Sequence, residues 1–303
     1  MVSLKSLSIL VFFAFCAITC TAINKSPKKG LVVPFWPRHK CGDFEAFSTV
    51  SWWYNYHTYQ DVQDRSPWWC TCQDGRPPKN HTICFPQDET VEFHPMVYGV
   101  SGYGNRPDFD TEPPIADWSW LVLGYNEPDQ KEQSDIPPKV AAQAWKEMQD
   151  QYPDKVWVSP ATAGIHTDWL DEFMAECEKL NCRVDYMSTH TYRGTPQERM
   201  SKLKDFSDRY GGRQVWLTEF AVEHEANTTK IIEFIQEFLP LLENADYIYK
   251  YSWWYTSYYE NHDHTGNFWL DSNNSLLDDK SPTLTEVGKA YDHPWHLDQY
   301  KPK

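Results

Sequence analysis

Short apolar runs recur along the chain, each ending in a polar or aromatic residue. They fall at residues 31–35, 49–53, 91–98, 120–125, 156–159, 184–189, 215–218 and 247–253. The runs are β-branched and aromatic and do not alternate cleanly, the pattern of parallel strands covered on both faces. Segments of helical period lie between the later runs. Over 138–150, Val140, Ala144, Trp145 and Met148 fall at helical spacing behind a proline near the start. Residues 168–179 begin with Asp and carry Leu170, Phe173 and Met174 on one side. Thr195 is a good N-cap for 196–210. Residues 228–242 are strongly apolar on one face, and 282–291 form the last predicted helix.

Eight strands alternating with helices over 303 residues predict an α/β fold, a (β/α)8 barrel in a single domain. The first half is less regular. The link over 55–90 is rich in Pro and Cys and reads as a disulfide-stapled loop after strand 2 rather than a helix. A doubly wound open sheet is the alternative, but no Gly-rich phosphate loop follows the first strand.

Composition then narrows the partners. Aromatic residues make up 16% of the chain, with 15 Trp, more than a core alone requires and suited to stacking on a flat, partly apolar ligand. A formal net charge of −15 disfavours nucleic acid, anionic lipid and acidic polysaccharides, so a neutral substrate fits best. Lys5, the apolar stretch 8–19 and the small residues Cys20, Thr21 and Ala22 predict a signal peptide over 1–22, leaving a catalytic domain over 23–303. The apolar stretch is short for a membrane span. The expected location is therefore extracellular, with cell-wall association open.

Cleavage there leaves six of the eight cysteines. An even number in an exported chain predicts disulfides: Cys177 with Cys182, and two bridges among Cys41, Cys70, Cys72 and Cys84. One intervening residue makes a Cys70–Cys72 bridge unfavourable, so Cys41 pairs with one of them and Cys84 with the other. Zinc is a weaker reading, because Cys70-Thr71-Cys72 lacks the usual two-residue gap. N-glycosylation acceptors stand at Asn80, Asn227 and Asn273, with a fourth at Asn24.

The chemistry is expected where the strands end, since barrels of this type carry their active sites there. The fourth run closes with Gly124-Tyr125-Asn126-Glu127-Pro128-Asp129 and the seventh with Trp216-Leu217-Thr218-Glu219-Phe220. Strands four and seven face one another across an eight-stranded ring. Two carboxyl groups meeting there are what glycoside hydrolysis needs, one to protonate the leaving oxygen and one to attack the anomeric carbon or activate water.

Asn-Glu-Pro after strand four and Thr-Glu-Phe after strand seven resemble the signature of the clan A retaining glycosidases. With Val158-Ser159-Pro160-Ala161, the run Asp185 to Tyr192, and Tyr251-Ser252-Trp253-Trp254, the ordered set resembles glycoside hydrolase family 128, a family of β-1,3-glucanases, over roughly residues 30 to 291. The resemblance implies Glu127 as general acid/base and Glu219 as nucleophile. It implies that Asn126 bonds the sugar 2-hydroxyl, though an N-cap role is the plainer reading. It places His190 and Tyr192 near the nucleophile, where a structural histidine bonded to a backbone carbonyl is the alternative. Trp253 is expected as an aromatic platform, with Trp254 in the core by alternation. Trp52 or Trp53, and Tyr98, are candidates for further subsites, with barrel core the competing reading. The stapled loop departs from the fungal members and leaves cleft shape open.

The expected function is thus a secreted, monomeric, retaining endo-β-1,3-glucanase acting on neutral β-glucan without cofactor or metal. The alternatives are a lectin-like β-glucan-binding barrel and a clan A hydrolase of another neutral β-glycan. His262-Asp263-His264 and the pair His293 and His296 lie in polar loop-like sequence that does not require a metal. No Gly-x-Ser-x-Gly elbow supports Ser-His-Asp chemistry.

Overall fold

The computed structural model describes residues 25–33, 43–59, 91–104, 110, 112–257, 270, 272–278 and 282–292. Residues 1–24, Cys41, Cys70, Cys72, Cys84, Asn80, His262, His264, His293 and His296 lie outside the described residues, and with them the predicted signal peptide and stapled loop.

Eight strands form one parallel sheet: β1 Lys29–Val32, β2 Trp52–Tyr54, β3 Glu92–Phe93, β4 Leu121–Leu123, β5 Val156–Thr162, β6 Tyr186–Thr191, β7 Val215–Phe220 and β8 Ile248–Trp253. Its order is β3-β2-β1-β8-β7-β6-β5-β4. The ring is completed past the end of β3, where Met96 bridges Leu123 and the Leu123 N–H donates to Pro95 O at 2.8 Å. The result is a (β/α)8 barrel-like fold. Each predicted apolar run contributes a strand.

The described helices all follow β4: α1 Pro138–Gln151, α2 Asp168–Leu180, α3 Pro196–Arg209, α4 Thr228–Asn244 and α5 Glu286–Asp292. Local chemistry sets their ends. Thr195 and Glu198 form a reciprocal capping box on α3, with Pro196 in the first turn. Thr167 caps α2, whose far end closes on Asn181 in the left-handed conformation. Asn227 caps α4 through its side-chain oxygen, accepting from Thr229 N at 3.0 Å.

Two apolar cores result. The larger packs the outward faces of the strands against the helices, and the smaller fills the barrel with Val32, Trp52, Tyr54, Met96, Leu121 and Trp216 among others. The floor of the barrel is close-packed. A Cβ on Gly30 would lie 2.2 Å from the Trp52 ring, so glycine is required there.

One expectation is corrected. Cys177 and Cys182 are free thiols, not a disulfide. They stand on either side of the α2 C-terminus and hydrogen-bond one another, which with burial pushes the Cys177 thiol up. Cys182 Sγ also lies 3.7 Å from Ala142 O on α1.

Candidate active site

The site is built at the C-terminal ends of β4, β6 and β7. Beyond β4 the chain runs against β5 so tightly that a Cβ on Gly124 would lie 2.6 Å from Pro160 N. Asn126 then bridges Ala161, and Glu127 N–H donates to Ala161 O at 2.8 Å. Glu127 has φ 42°, a left-handed conformation uncommon outside glycine. Ser134 Oγ donates to Asn126 O at 2.6 Å and closes the turn that holds this geometry.

Glu219 reaches the same place by a different device. Pairing between β6 and β7 shifts register between Thr189 and His190, and between β7 and β8 it shifts again between Leu217 and Phe220. Such irregularities re-aim side chains. Ser188 Oγ and Thr218 Oγ1 meet at 3.0 Å, and the next residue, Glu219, also turns into the barrel mouth. Glu219 is 4% exposed.

His190 joins the two acids. Its Nδ1 lies 2.8 Å from Glu127 Oε1 and 3.5 Å from Glu219 Oε2. One ligand-type atom from each of the three residues lies within 4.8 Å of the others. Tyr56 donates its phenol to Glu219 Oε1 and Tyr192 donates to Oε2. Trp254 Nε1 in turn donates to Tyr56 Oη at 2.7 Å. The plainer reading of His190, a bond to a backbone carbonyl, does not hold: Nδ1 meets carboxylates and Nε2 is buried without a partner among the described residues.

The electrostatics follow from this enclosure. Burial raises the Glu219 pKa and Glu127 adds to the rise, while His190 and the two phenols oppose it. Burial alone would depress His190, but Glu219 and Glu127 reverse the sign and leave it raised. Burial first, then the Glu219 charge, holds the phenols of Tyr56 and Tyr192 far up, so both remain donors. Among the described residues, Glu127, His190 and Glu219 are also the set close enough to hold a metal. Their hydrogen bonds to one another and to the phenols already account for their convergence. Two acids sharing little solvent and one strong proton carrier suit acid/base and nucleophilic chemistry. A cleft of about 790 Å³ opens at Glu127 and His190, lined also by Gln133, His166, Tyr192 and His224 among others.

Of the residues expected here, the structure brings together Asn126, Glu127, His190, Tyr192 and Glu219. Four others do not line the cleft. Trp253 is fully buried against Phe220 and Tyr291, with Nε1 donating to Asn274 O at 2.7 Å. Lys250 and Ser252 point into the barrel, so alternation along β8 sends Trp253 to the helices and Trp254 to the mouth. Trp52 is in the barrel floor, edge-on to Trp216 at 5.0 Å with Nε1 on Lys28 O, and Trp53 packs against Phe44 and Phe93. Tyr98 is buried and donates its phenol to Gln133 Oε1. The sequence reading missed Tyr56, Trp254 and Gln133. The phase of Lys250 and Ser252 along the last strand was a signal for Trp254; Tyr56 and Gln133 lie in irregular segments without one.

The profile of the family described as glycosyl hydrolase catalytic core matches residues 30–291. Solved structures with the same fold include an endo-β-1,3-glucanase of glycoside hydrolase family 128, subgroup II, from Sorangium cellulosum. It is 27% identical with a TM-score of 0.64, over 88% of this chain and 98% of that one. A subgroup I endo-β-1,3-glucanase from Amycolatopsis mediterranei, a mutant in complex with laminarihexaose, is 19% identical with a TM-score of 0.64 over the same shares. A curated relative is Alkali-sensitive linkage protein 1 of Schizosaccharomyces pombe, 29% identical over 182 residues, 56% of this chain. The match spans 32% of that relative, about a third of its length.

Proposed function

This chain belongs to the glycosyl hydrolase catalytic core family, and from that premise we propose that it is a retaining endo-β-1,3-glucanase. The observation that carries the proposal is the spacing of its two acids. One carboxylate oxygen of Glu127 and one of Glu219 lie within 4.8 Å of one another, closer to the roughly 5–5.5 Å separation of retaining enzymes than to the roughly 6.5–9.5 Å of inverting ones. The glucan follows from the family 128 relatives, the Sorangium enzyme foremost, and from an acidic chain suited to a neutral polymer.

In this reading Glu127 protonates the glycosidic oxygen as Glu219 attacks the anomeric carbon, forming a glycosyl ester on Glu219. Glu127 then takes a proton from water, which attacks the same carbon and releases the sugar with its configuration retained. Tyr56 and Tyr192 hold Glu219 in the attacking orientation and share its charge until the ester forms. His190 holds Glu127 by Nδ1. Asn126 takes the sugar 2-hydroxyl, and Trp254, rather than Trp253, is the aromatic residue beside the reacting ring. In this reading the enzyme is exported, an expectation supported by the signal-peptide pattern over residues 1–22, works as a monomer, and is glycosylated at Asn227 and Asn273, where the chain is exposed or half-buried.

The test is reducing-sugar release from laminarin and curdlan, with proton NMR of the first anomer formed. A β anomer from both substrates is expected. An initial α anomer would sink the retaining mechanism, and no release from any glucan would sink the activity.

A further inference from the structure

We propose that Gln133 is a positioning residue that completes the hydroxyl-binding site begun by Asn126, donating to the same sugar hydroxyl that Asn126 Oδ1 accepts from. The inference rests on the glucanase reading above and adds a contact that the sequence pattern does not mark.

Gln133 is half-buried in the turn after β4 and lines the cleft beside Glu127. Its Oε1 accepts from two donors, the phenol of Tyr98 and Asn126 Nδ2, the latter at 3.4 Å. An amide oxygen has two lone pairs, and both are taken. The amide hydrogens on Nε2 are therefore turned away from Tyr98 and Asn126, and no described residue accepts them. Asn126 shows the complementary deficit: its Oδ1 is buried and without a partner among the described residues. A buried acceptor left in that state is costly unless a ligand satisfies it. A sugar hydroxyl donates one hydrogen bond and accepts others. In the proposal a single hydroxyl serves both groups, donating to Asn126 Oδ1 and accepting from Gln133 Nε2.

The backbone holds the three side chains in register. Asn126 N–H donates to Tyr98 O at 3.1 Å, and Gln133 N–H donates to Gln130 O at 3.1 Å. Gly104 approaches so closely that a Cβ there would lie 2.6 Å from Gln133 O. Tyr98, buried itself, thus serves substrate binding at one remove by fixing which end of the Gln133 amide faces the sugar.

The experiment compares the wild type with Gln133→Met, which removes both hydrogen-bonding functions at similar volume, and with Gln133→Glu, which keeps the acceptor and loses the donor. Each is assayed on an aryl β-1,3-glucan oligosaccharide and on its analogue lacking the 2-hydroxyl at the reacting sugar. Gln133→Met should lose about tenfold in kcat/KM on the parent substrate, chiefly in kcat, and little on the analogue. Gln133→Glu should show a smaller loss with the same dependence on the hydroxyl. Equal losses on both substrates, or no loss on the parent, would overturn the proposal while the wild type remains active. A wild type inert on every glucan would instead overturn the function on which it rests.

Discussion

Replacing Tyr56 by Phe isolates one of the two phenols on the nucleophile. Tyr56 donates to Glu219 Oε1 in a site where Glu219 is 4% exposed. A hydrogen bond to a charged group is worth about 1.5–3 kcal/mol, and one pKa unit corresponds to about 1.4 kcal/mol. The bond favours the ionised form, so its loss adds to a rise that burial already imposes. The acid limb of kcat/KM, where Glu219 must lose its proton in the free enzyme, should move upward by about one to two pH units. Tyr192 still donates to Oε2, which argues for the lower end of that range. Truncation also strips Trp254 Nε1 of its phenol acceptor, at a cost of about 1–3 kcal/mol if nothing replaces it. Thermal melting measured beside the pH profile separates the two effects. A variant with an unmoved acid limb would refute the claim that Tyr56 stabilises the ionised nucleophile, whatever its melting temperature.

Trp253→Ala should destabilise the fold by about 3–5 kcal/mol, as for a fully buried indole, whereas Trp254→Ala should weaken substrate engagement with a smaller loss in Tm; a reversal in melting and kinetic assays would put the core residue at 254. Glu127→Gln should slow cleavage of poorly leaving sugars far more than that of activated aryl glycosides, since only the former need a proton; equal slowing would argue against the acid role. Both Glu219 and His190 have raised pKa values in the fold. Each binds protons more readily folded than unfolded, so stability present below about pH 4.3 for Glu219 and about pH 6.5 for His190 is lost as pH rises through the folded values. Glu219→Gln should therefore raise Tm at neutral pH by about 2 °C for each ~1 kcal/mol relieved, with the gain shrinking toward pH 4; a variant less stable than wild type at pH 7 would contradict this.

The strands and helix ends were legible in the chain because their causes are local. A run such as Val215 to Thr218 is apolar enough to demand burial wherever it lies, and Thr195 with Glu198 caps α3 using only atoms within one turn. Glu127 and Glu219 were legible for a related reason: each is a charge placed where an apolar run stops. The facing of individual side chains was not. These strands are buried on both sides, one by the barrel interior and one by the helices, so hydropathy carries no mark of which side is which. Trp253 and Trp254 are adjacent and chemically identical, and only the direction of Lys250 and Ser252 within the closed ring decides between them. Cys177 and Cys182 are near in sequence, yet both are free thiols, with Cys182 also in contact with Ala142 O on α1. Tyr56 and Gln133 come from segments without periodicity and acquire meaning through partners 163 and 7 residues away, Glu219 and Asn126. The chain determined which elements form and where charge must surface; closure of the barrel decided which of those side chains share a proton, because that depends on distances between strands that no stretch of sequence contains.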